Sequence, residues 1–448
     1  MLFRKLTKYI EDYYATSNRA LLLTGARQTG KTFAAREFGR KFKNFIEINF
    51  IERQEAVNLF QGVTDSDEIL LRLSALVNEN IEEGETLIFF DEVQCCENII
   101  TAIKFLVDDG RYKFILSGSL LGVELKDIRS VPVGYMGVKE VFPLTVEEFM
   151  INLGVSGNVM SRLRHNYIHK EEVDSIINER MLQLFRLYTV IGGMPAAVQT
   201  YLDTKNLQAV MTVQKDIVTL YRKDISQYAD KDKLKIKEIF DLIPSELNEK
   251  NKRFILKNLN QHAKFERYKY DFLWLKDAGV AIPVYNVEEP KEPLLLSITR
   301  NLFKLFCNDV GLLAAQYADG IQARILANDR SINYGAVYEN VVAQELVAHE
   351  IKPLYYNNKR RGEVDFVISI SGKVMPIEVK SGKDYTRHNA LSNILNAPEF
   401  DIEEGVVLGN CNIKREGKVL YLPIYMVMFI DRPDITEVIY QVDMGPLL

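Results

Sequence analysis

The sequence predicts an α/β protein with several domains, in which a parallel sheet covered by helices on both faces is followed by a helical middle region and a second α/β module. Strand-like apolar segments alternate with helical stretches over the first 150 residues, as expected of a parallel sheet. The first of these segments runs directly into a glycine-rich loop. Strand-like segments return in the last third of a chain that, at 448 residues, is too long for one ordinary core.

The N-terminal sheet is predicted from four short apolar segments. They follow a stretch with helical spacing at residues 3–16 and lie at residues 20–24, 45–48, 86–90 and 113–116. Continuous apolar runs of this length are typical of strands that are buried on both faces. We assign residues 1–150 to this first domain.

The middle of the chain has helical spacing from about residue 145 to residue 225. Gly192, Gly193, Met194 and Pro195 interrupt the pattern, because glycine and proline disfavour the interior of a helix. We expect a turn at this position and assign residues 151–228 to a helical lid or middle region.

Residues 229–290 combine short charged helices with a strand-like segment at 281–285, which is the order of elements in a small winged helix. That fold would place Lys252, Arg253 and Lys257 near a DNA backbone. A helical packing module is an equal alternative, because Leu, Ile and Phe recur at helical spacing. Trp274 is assigned to a core in either case.

The last third of the chain, residues 291–448, is predicted to be a second α/β domain. Its strand-like segments lie at residues 353–356, 363–368, 374–379 and 405–408, with helical patterns before and between them.

Composition limits the classes of protein to consider. Hydrophobic residues make up 47% and charged residues 26%, values that are typical of folded soluble domains. The net charge of −5 gives no overall attraction to nucleic acid. The cysteines, at 95, 96, 307 and 411, and the scattered histidines show no zinc-ligand spacing, and no apolar run is long enough to span a membrane. We therefore expect a cytoplasmic protein with no membrane partner.

The glycine-rich loop matches the complete phosphate-binding pattern G-x-x-x-x-G-K-[ST] between a strand and a helix. Its eight residues are Gly25, Ala26, Arg27, Gln28, Thr29, Gly30, Lys31 and Thr32. Backbone N–H groups of such a loop face phosphates, the lysine contacts the β- and γ-phosphates, and the threonine hydroxyl is a ligand of Mg²⁺. The sequence therefore predicts a site for ATP and Mg²⁺.

Two carboxylates, Asp91 and Glu92, follow the apolar segment at 87–90. Ligands of parallel sheets bind at the carboxyl ends of strands, so we expect both side chains beside the loop. Asp91 is predicted to hold Mg²⁺ through water, and Glu92 to polarise the attacking water. Ser117 and Ser119 end another strand and either contact the γ-phosphate or the water, or simply form a turn.

An arginine that stabilises charge in the transition state is expected in trans if the ATPase forms a ring. Arg129 is our candidate for this arginine finger, and Arg222 is a weaker rival. A solvated surface position is an equal alternative for Arg129.

These motifs resemble a widespread prokaryotic family of AAA-type ATPases, and the resemblance covers almost the whole chain. It is carried by the loop at 23–32, by the segments at 90–94, 117–119 and 142–149, and by the turn at 192–195. The resemblance implies a P-loop AAA-type domain, a helical lid and a C-terminal domain. It also implies assembly into a homo-oligomer, because AAA-type sites usually form between subunits.

The C-terminal domain carries an acidic pattern that resembles the restriction-endonuclease-like superfamily. Glu339 lies in a helical pattern, Asp365 in a strand, and Glu378 and Lys380 in the next strand. Since side chains alternate along a strand, Glu378 and Lys380 share a face and can converge with Asp365. The resemblance implies that the carboxylates hold a divalent metal and that the lysine steadies the attacking water. A solvated strand face with alternating charges is the other interpretation.

Three functions are compatible with these motifs. The leading one is an ATPase whose nucleotide state acts on a C-terminal domain that faces DNA, another nucleic acid or a protein partner. The second is an ATP-regulated, metal-dependent DNA nuclease. The third is a binding platform that does not cleave, with the basic run at 359–361 either contacting phosphates or forming a charged turn.

Overall fold

The computed structural model describes residues 2–63, 65–77, 81–119, 134–228, 232–249, 252–261, 264–327, 329 and 334–432. It consists of a five-stranded parallel sheet, a helical region and an eight-stranded mixed sheet, which confirms the predicted α/β class.

The N-terminal sheet has the strand order β2-β3-β4-β1-β5, and every pair of neighbouring strands is parallel. Its strands are β1 (Ala20–Thr24), β2 (Asn44–Asn49), β3 (Thr86–Asp91), β4 (Lys113–Ser117) and β5 (Met136–Glu140). Strands β1 and β3 lie on either side of β4, so the segments that follow them meet at one edge of the sheet.

Helices cover both faces of this sheet, because alternate residues of each buried strand point to opposite sides. Leu21 and Phe89 pack on one side, and Leu22 and Phe90 pack on the other. The covering helices are α1 (Lys5–Thr16), α2 (Lys31–Gly39), α3 (Ser66–Leu76) and α4 (Glu97–Asp109).

The helical region packs beside the sheet. Its helices are α5 (Val146–Asn152), α6 (Gly157–His169), α7 (Ser175–Ile191), α8 (Pro195–Thr204) and α9 (Leu207–Tyr228). The predicted turn separates α7 from α8, and Gly193 is required there because a Cβ atom would lie 2.1 Å from the carbonyl oxygen of Leu144. No single described helix is long and apolar enough to cross a bilayer; the bent pair α7 and α8 passes by combined length and composition only.

The segment that was compared with a winged helix contains α10 (Lys233–Asn248), α11 (Phe265–Asp277) and the strand β6 (Ala281–Val287). Trp274 is 6% exposed and belongs to the core. Strand β6 pairs with β7 (Ile298–Cys307) and β8 (Leu354–Asn358) in the larger sheet. The sheet therefore continues across the predicted boundary at residue 290.

The C-terminal sheet has the strand order β12-β13-β11-β10-β9-β8-β6-β7. Its remaining strands are β9 (Gly362–Ile370), β10 (Lys373–Lys380), β11 (Gly405–Gly409), β12 (Lys414–Glu416) and β13 (Val419–Pro423). The helices of this part are α12 (Val310–Ala315), α13 (Ile321–Leu326), α14 (Gly335–Ala348) and α15 (Asn389–Leu395).

The largest hydrophobic core joins the helical region to the C-terminal sheet. It runs from Ala26 in the glycine-rich loop and Leu144 to Ile430, and it includes residues of α7, β7 and α14. A change in the position of the helical region must therefore be accommodated by the C-terminal part.

Candidate functional site

The phosphate-binding loop has the backbone conformation that its glycines permit. Gly25 has φ 118° and Gly30 has φ 94°, both in the left-handed region, and Gln28 also has a positive φ of 66°. A Cβ atom on Gly25 would lie 2.4 Å from the carbonyl oxygen of Val141. Helix α2 begins directly after the loop at Lys31, so its positive end faces the space that the loop encloses.

Lys31 is buried and is held by the loop itself. Its Nζ donates to the carbonyl oxygens of Gly25 at 2.9 Å and Ala26 at 2.7 Å. Burial lowers the pKa of Lys31 to about 8, although Glu92 and Asp91 partly oppose the shift. The ammonium group thus contacts neutral carbonyls and lacks a full counter-charge, which a bound phosphate would supply.

Asp91 accepts hydrogen bonds from side chains of three elements. Its Oδ2 accepts from Thr32 Oγ1 at 3.1 Å and from Asn49 Nδ2 at 3.3 Å, and Ser117 donates to Oδ1. Burial raises the pKa of Asp91, against the opposing effect of the Ser117 hydrogen bond. The adjacent hydroxyl and carboxylate oxygens are the hard donors that Mg²⁺ prefers, so Thr32 and Asp91 fit this ion.

Asn49 was not identified from the sequence. It ends strand β2 directly beside Asp91 in the register of the parallel pair β2–β3. The sequence did contain a signal for Asn49, because it is a polar residue at the carboxyl end of a predicted strand.

Glu92 is held in the left-handed region, with φ 57° and ψ 47°. A non-glycine residue in this conformation costs on the order of 1 kcal/mol, and such residues cluster at functional sites. Its carboxylate accepts from Ser119 Oγ at 3.2 Å and from Gln94 Nε2, and Glu92 lines the cavity described below. A carboxylate fixed in this way can orient a water molecule towards a bound phosphate.

Arg27 connects the loop to the helical region. Its NH1 group donates to Asp224 Oδ1 on α9 at 2.9 Å, and its Nε donates to Ser119 Oγ at 3.3 Å. The hydroxyl of Tyr221, also on α9, donates to the carbonyl oxygen of Arg27 at 3.1 Å. Burial raises the pKa of Asp224, while Arg27 lowers it.

A cavity of about 710 Å³ lies in front of these groups. The loop and α2 form one side, and Pro195, Ala196, Gln199 and Leu220 of the helical region form the other. Arg4 also lines the cavity, and its NH1 group donates to the carbonyl oxygen of Thr29 at 3.0 Å. No motif in the sequence singled out Arg4.

Of the two candidates for the arginine finger, the structure describes Arg222, which is not among the residues that line this cavity. Arg129 lies outside the described residues. Arg222 forms an ion pair with Asp241 at 2.7 Å and lines a separate cleft between α9 and α10.

The turn at 192–195 joins the cavity to the C-terminal part. Pro195 lines the cavity, and the N–H group of Gly193 donates to Asp309 Oδ2 at 2.6 Å. Asp309 is fully buried and caps helix α12 through a hydrogen bond from Leu312 N–H at 3.0 Å. Burial raises the pKa of Asp309 to about 6, against the effect of these N–H donors.

The four C-terminal residues that resemble a nuclease site lie in one cluster. The Val379 N–H group donates to Asp365 Oδ2 at 2.9 Å, and Lys380 Nζ pairs with Glu378 Oε1 at 2.7 Å. Glu339 on α14 and Asp365 on β9 both face the same ammonium group, that of Lys304.

Lysines occupy the space between these carboxylates. Lys304 on β7 is fully buried, and its Nζ lies 2.8 Å from Glu363, 3.3 Å from Glu339 and 3.7 Å from Asp365. Lys252 forms a second ion pair with Glu339. Within the described part of the chain, no group of three or more His, Cys, Asp or Glu side chains is placed to hold a metal ion. The arrangement does not fit the divalent cation that the superfamily resemblance implies.

The pKa directions in this cluster follow from burial and the lysines. Burial lowers the pKa of Lys304, but Glu339, Asp365 and Glu363 outweigh it and raise the pKa above its ordinary value. Burial raises the pKa of Asp365, but Lys304 and Lys252 bring it below the ordinary value. Burial, together with Asp365, raises the pKa of Glu378 to about 8. Lys304 therefore stays charged at neutral pH.

Some of the basic residues predicted to contact DNA are held in ion pairs, and others are exposed. Lys252 pairs with Glu339, and Arg253 lies 3.8 Å from Glu363, whereas Lys257 is exposed. In the run at 359–361, the first two residues are exposed, and Arg361 pairs with Glu399.

Comparison with protein families divides the chain into three matched regions. Residues 17–150 match the model of an AAA domain. Residues 182–323 match a domain of unknown function, DUF8612, and residues 334–426 match another, DUF4143. No curated protein sequence matches the chain.

Solved structures resemble the chain at low sequence identity. A Walker-type ATPase of Pyrococcus abyssi is 14% identical, with 70% of this chain and 95% of that chain covered and a TM-score of 0.40. A point variant of RuvB from Thermotoga maritima is 16% identical, covering 65% and 88% of the two chains with a TM-score of 0.29. The Orc1 protein of Aeropyrum pernix, solved in complex with DNA, is 14% identical, covering 73% and 93% with a TM-score of 0.25.

The family match falls on the region that holds the complete phosphate loop, the two strand-end carboxylates and the parallel sheet. Residues 17–150 of this chain are therefore an AAA-type P-loop ATPase domain.

Proposed function

We propose that the chain binds and hydrolyses ATP in the 710 Å³ cavity and transmits the state of that site to its C-terminal domain. The observation that carries the proposal is the convergence of Lys31, Thr32, Asp91 and Glu92 at one edge of the parallel sheet. Residues of the helical region complete the same cavity.

Each residue has a role that follows from its position. The loop residues 25–32 would surround the phosphates with N–H groups, and Lys31 would exchange its two carbonyl partners for phosphate oxygens. Thr32 and Asp91 would hold Mg²⁺, which neutralises phosphate charge when it is bound. Glu92 would orient the attacking water, and Ser119 and Gln94 would hold the Glu92 carboxylate in place.

The route to the C-terminal domain runs through the turn and strand β7. Pro195 lines the cavity, the N–H group of Gly193 donates to Asp309, and Asp309 lies two residues after the end of β7. Strand β7 carries Lys304 into the carboxylate cluster. A second contact supports this route, because a Cβ atom on Gly279 would lie 2.9 Å from the backbone nitrogen of Ala26.

We further propose that the chain acts as a homo-oligomer and that its C-terminal domain meets a nucleic acid or a protein partner. The arginines of this chain that line the cavity are already paired with carboxylates: Arg27 with Asp224, Arg36 with Glu47 and Arg4 with Glu148. An additional cation for the transition state would then come from a neighbouring subunit.

The experiment compares ATP hydrolysis with Mg²⁺ for the native chain, Lys31→Ala and the matched surface variant Lys41→Ala. We expect Lys31→Ala to lose hydrolysis and Lys41→Ala to retain it. Hydrogen exchange of residues 298–309 and 362–380 is then measured with and without a non-hydrolysable ATP analogue.

Nucleotide-dependent protection of the C-terminal strands in the native chain, and its loss in Lys31→Ala, would support the coupling. Hydrolysis that persists in Lys31→Ala would contradict the assigned site. Hydrolysis without any change in exchange would contradict the coupling alone.

A further inference from the structure

We infer that Lys304 and Lys252 take the place of a divalent cation in the C-terminal carboxylate cluster. The cluster is then a structural network of ion pairs and not a nuclease site. This inference does not depend on ATP hydrolysis, because it concerns a different part of the chain.

The position of Lys304 is the first argument. Its Nζ lies between Glu339, Glu363 and Asp365 at 2.8 to 3.7 Å. Mg²⁺ binds oxygen ligands at about 2.0–2.1 Å in a nearly ideal octahedron, so the ion would have to occupy the same space as the ammonium group. Two cations at this separation would also repel each other strongly.

Lys304 has no alternative position at the surface. It lies in the middle of β7, opposite Val284 of β6, and its side chain is 0% exposed. The ammonium group also lies 5.2 Å from the ring centre of Tyr355. Moving it away from the carboxylates would leave an unpaired charge in the core, which is strongly unfavourable.

The balance of charges is the second argument. Four carboxyl groups face the cluster, from Glu339, Glu363, Asp365 and Glu378. Four cationic side chains pair with them, from Lys252, Arg253, Lys304 and Lys380. The pKa of Glu378 is raised to about 8, so this carboxyl group is mostly uncharged at neutral pH and the four cations outnumber the remaining carboxylates. The carboxylates of the cluster are therefore compensated without a metal.

Few donor atoms are left for a metal among the described residues of the cluster. Of its carboxyl oxygens, Oε2 of Glu378 is buried without a hydrogen-bond partner. Asp365 already accepts the N–H group of Val379 at 2.9 Å. Oδ1 of Asp365 lies 3.7 Å from Lys304 Nζ, whereas the oxygens of Glu339 and Glu363 and Oε1 of Glu378 already face lysine or amide nitrogens. A metal that needs several oxygen ligands would have to displace these nitrogens.

The pairing has a structural consequence. Lys252 and Arg253 come from the segment that precedes β6, whereas Glu339 lies on α14 and Glu363 on β9. The ion network therefore attaches this segment to the C-terminal sheet. The lysines therefore stabilise the contact between these elements by neutralising their carboxylates, as a structural metal ion does in other proteins.

Binding of Mn²⁺ to the nucleotide-free full-length chain, followed by electron paramagnetic resonance, tests the inference. We expect the native chain to bind no more Mn²⁺ than Asp365→Asn, and neither protein to cleave plasmid DNA with Mn²⁺ or Mg²⁺. Lys304→Gln frees the central position, and we expect it to bind one Mn²⁺ per chain that is lost in the double variant Lys304→Gln and Asp365→Asn. Native binding or cleavage that disappears in Asp365→Asn would overturn the inference, as would a folded Lys304→Gln that binds no Mn²⁺.

Lys252→Gln provides a second test that does not require removal of a fully buried charge. The side chain of Lys252 is 19% exposed, so this variant is expected to fold. Because Lys304 still occupies the centre of the cluster in this variant, we expect Mn²⁺ to change the melting temperatures of Lys252→Gln and of the native chain equally. A larger rise in Lys252→Gln would contradict the inference.

Discussion

The nucleotide pocket and the C-terminal cluster both bring a buried lysine close to carboxylates, but they leave it in opposite electrostatic states. Lys31 bonds to two neutral carbonyls, and its pKa is lowered to about 8. Lys304 faces three carboxylates, and its pKa is raised. The first lysine is ready to receive an anion, whereas the second already has its counter-charges.

The backbone explains the difference. Lys31 begins a helix at an open cavity, so a ligand can reach it. Lys304 lies within a strand that is covered by the core, so only protein groups can reach it. The same residue types therefore indicate a binding site in one place and a structural network of ion pairs in the other.

The sharpest contrast is between the two sets of carboxylates. We expect Glu92→Gln to lower kcat for ATP hydrolysis by about 10²–10⁴-fold with ATP binding retained, because the amide no longer acts as a base. Glu378→Gln should leave hydrolysis within about twofold. Steady-state kinetics and nucleotide titration measure both. A comparable loss of hydrolysis in Glu378→Gln would break the separation of the two sites.

Replacement of each lysine by methionine compares how much the two residues contribute to the free energy of unfolding. Lys304→Met leaves three carboxylates without their shared cation, and we expect a loss of about 3–5 kcal/mol in the free energy of unfolding. Lys31→Met removes a charge that burial disfavours, so we expect a change within about 0.5 kcal/mol or a gain. Urea unfolding without nucleotide measures both values. Equal losses would show that Lys31 is as well compensated as Lys304.

The pKa of Lys31 predicts how ATP binding depends on pH. In the nucleotide-free chain this pKa is about 8, below the ordinary 10.5, and bound phosphate would raise it again. Above pH 8, binding must therefore take up a proton, and we expect the affinity to fall about tenfold per pH unit as pH rises, with little change just below pH 8. Calorimetry in buffers of different ionisation enthalpy measures the proton uptake. Lys31→Ala should show none of it.

The smallest expected effect concerns the pair Arg27 and Asp224. Asp224→Asn removes the charge that holds Arg27 at 2.9 Å, and it also removes a negative charge near Glu92. We expect ATP to bind about threefold to tenfold more tightly, because the variant removes a negative charge beside the phosphate site. Nucleotide titration of this variant and of Asp216→Asn, a surface control on α9, measures the effect. Weaker binding in Asp224→Asn would show that the pair holds the loop in its competent shape.

The sequence predicted the parts of the fold and the site that depend on neighbouring residues. The loop at 25–32 and the carboxylates at the end of β3 follow from short patterns, and alternation along the strands predicted that Glu378 and Lys380 share a face. Asn49 and Arg4 were missed because their roles depend on the register of β2 with β3 and on the approach of the N-terminus to the loop. The division at residue 290 did not anticipate that β6 and β7 pair across it.

Local patterns in the chain alone were enough to predict an ATP site, because phosphate binding requires backbone conformations that a run of eight residues specifies. They could not identify the state of the C-terminal carboxylates. Lys252 meets Glu339 across 87 positions and Arg27 meets Asp224 across 197, and the pairing depends on the burial of strands and helices against one another. Tertiary packing decided which lysine faces a cavity and which faces carboxylates, and therefore which cluster is open to a ligand.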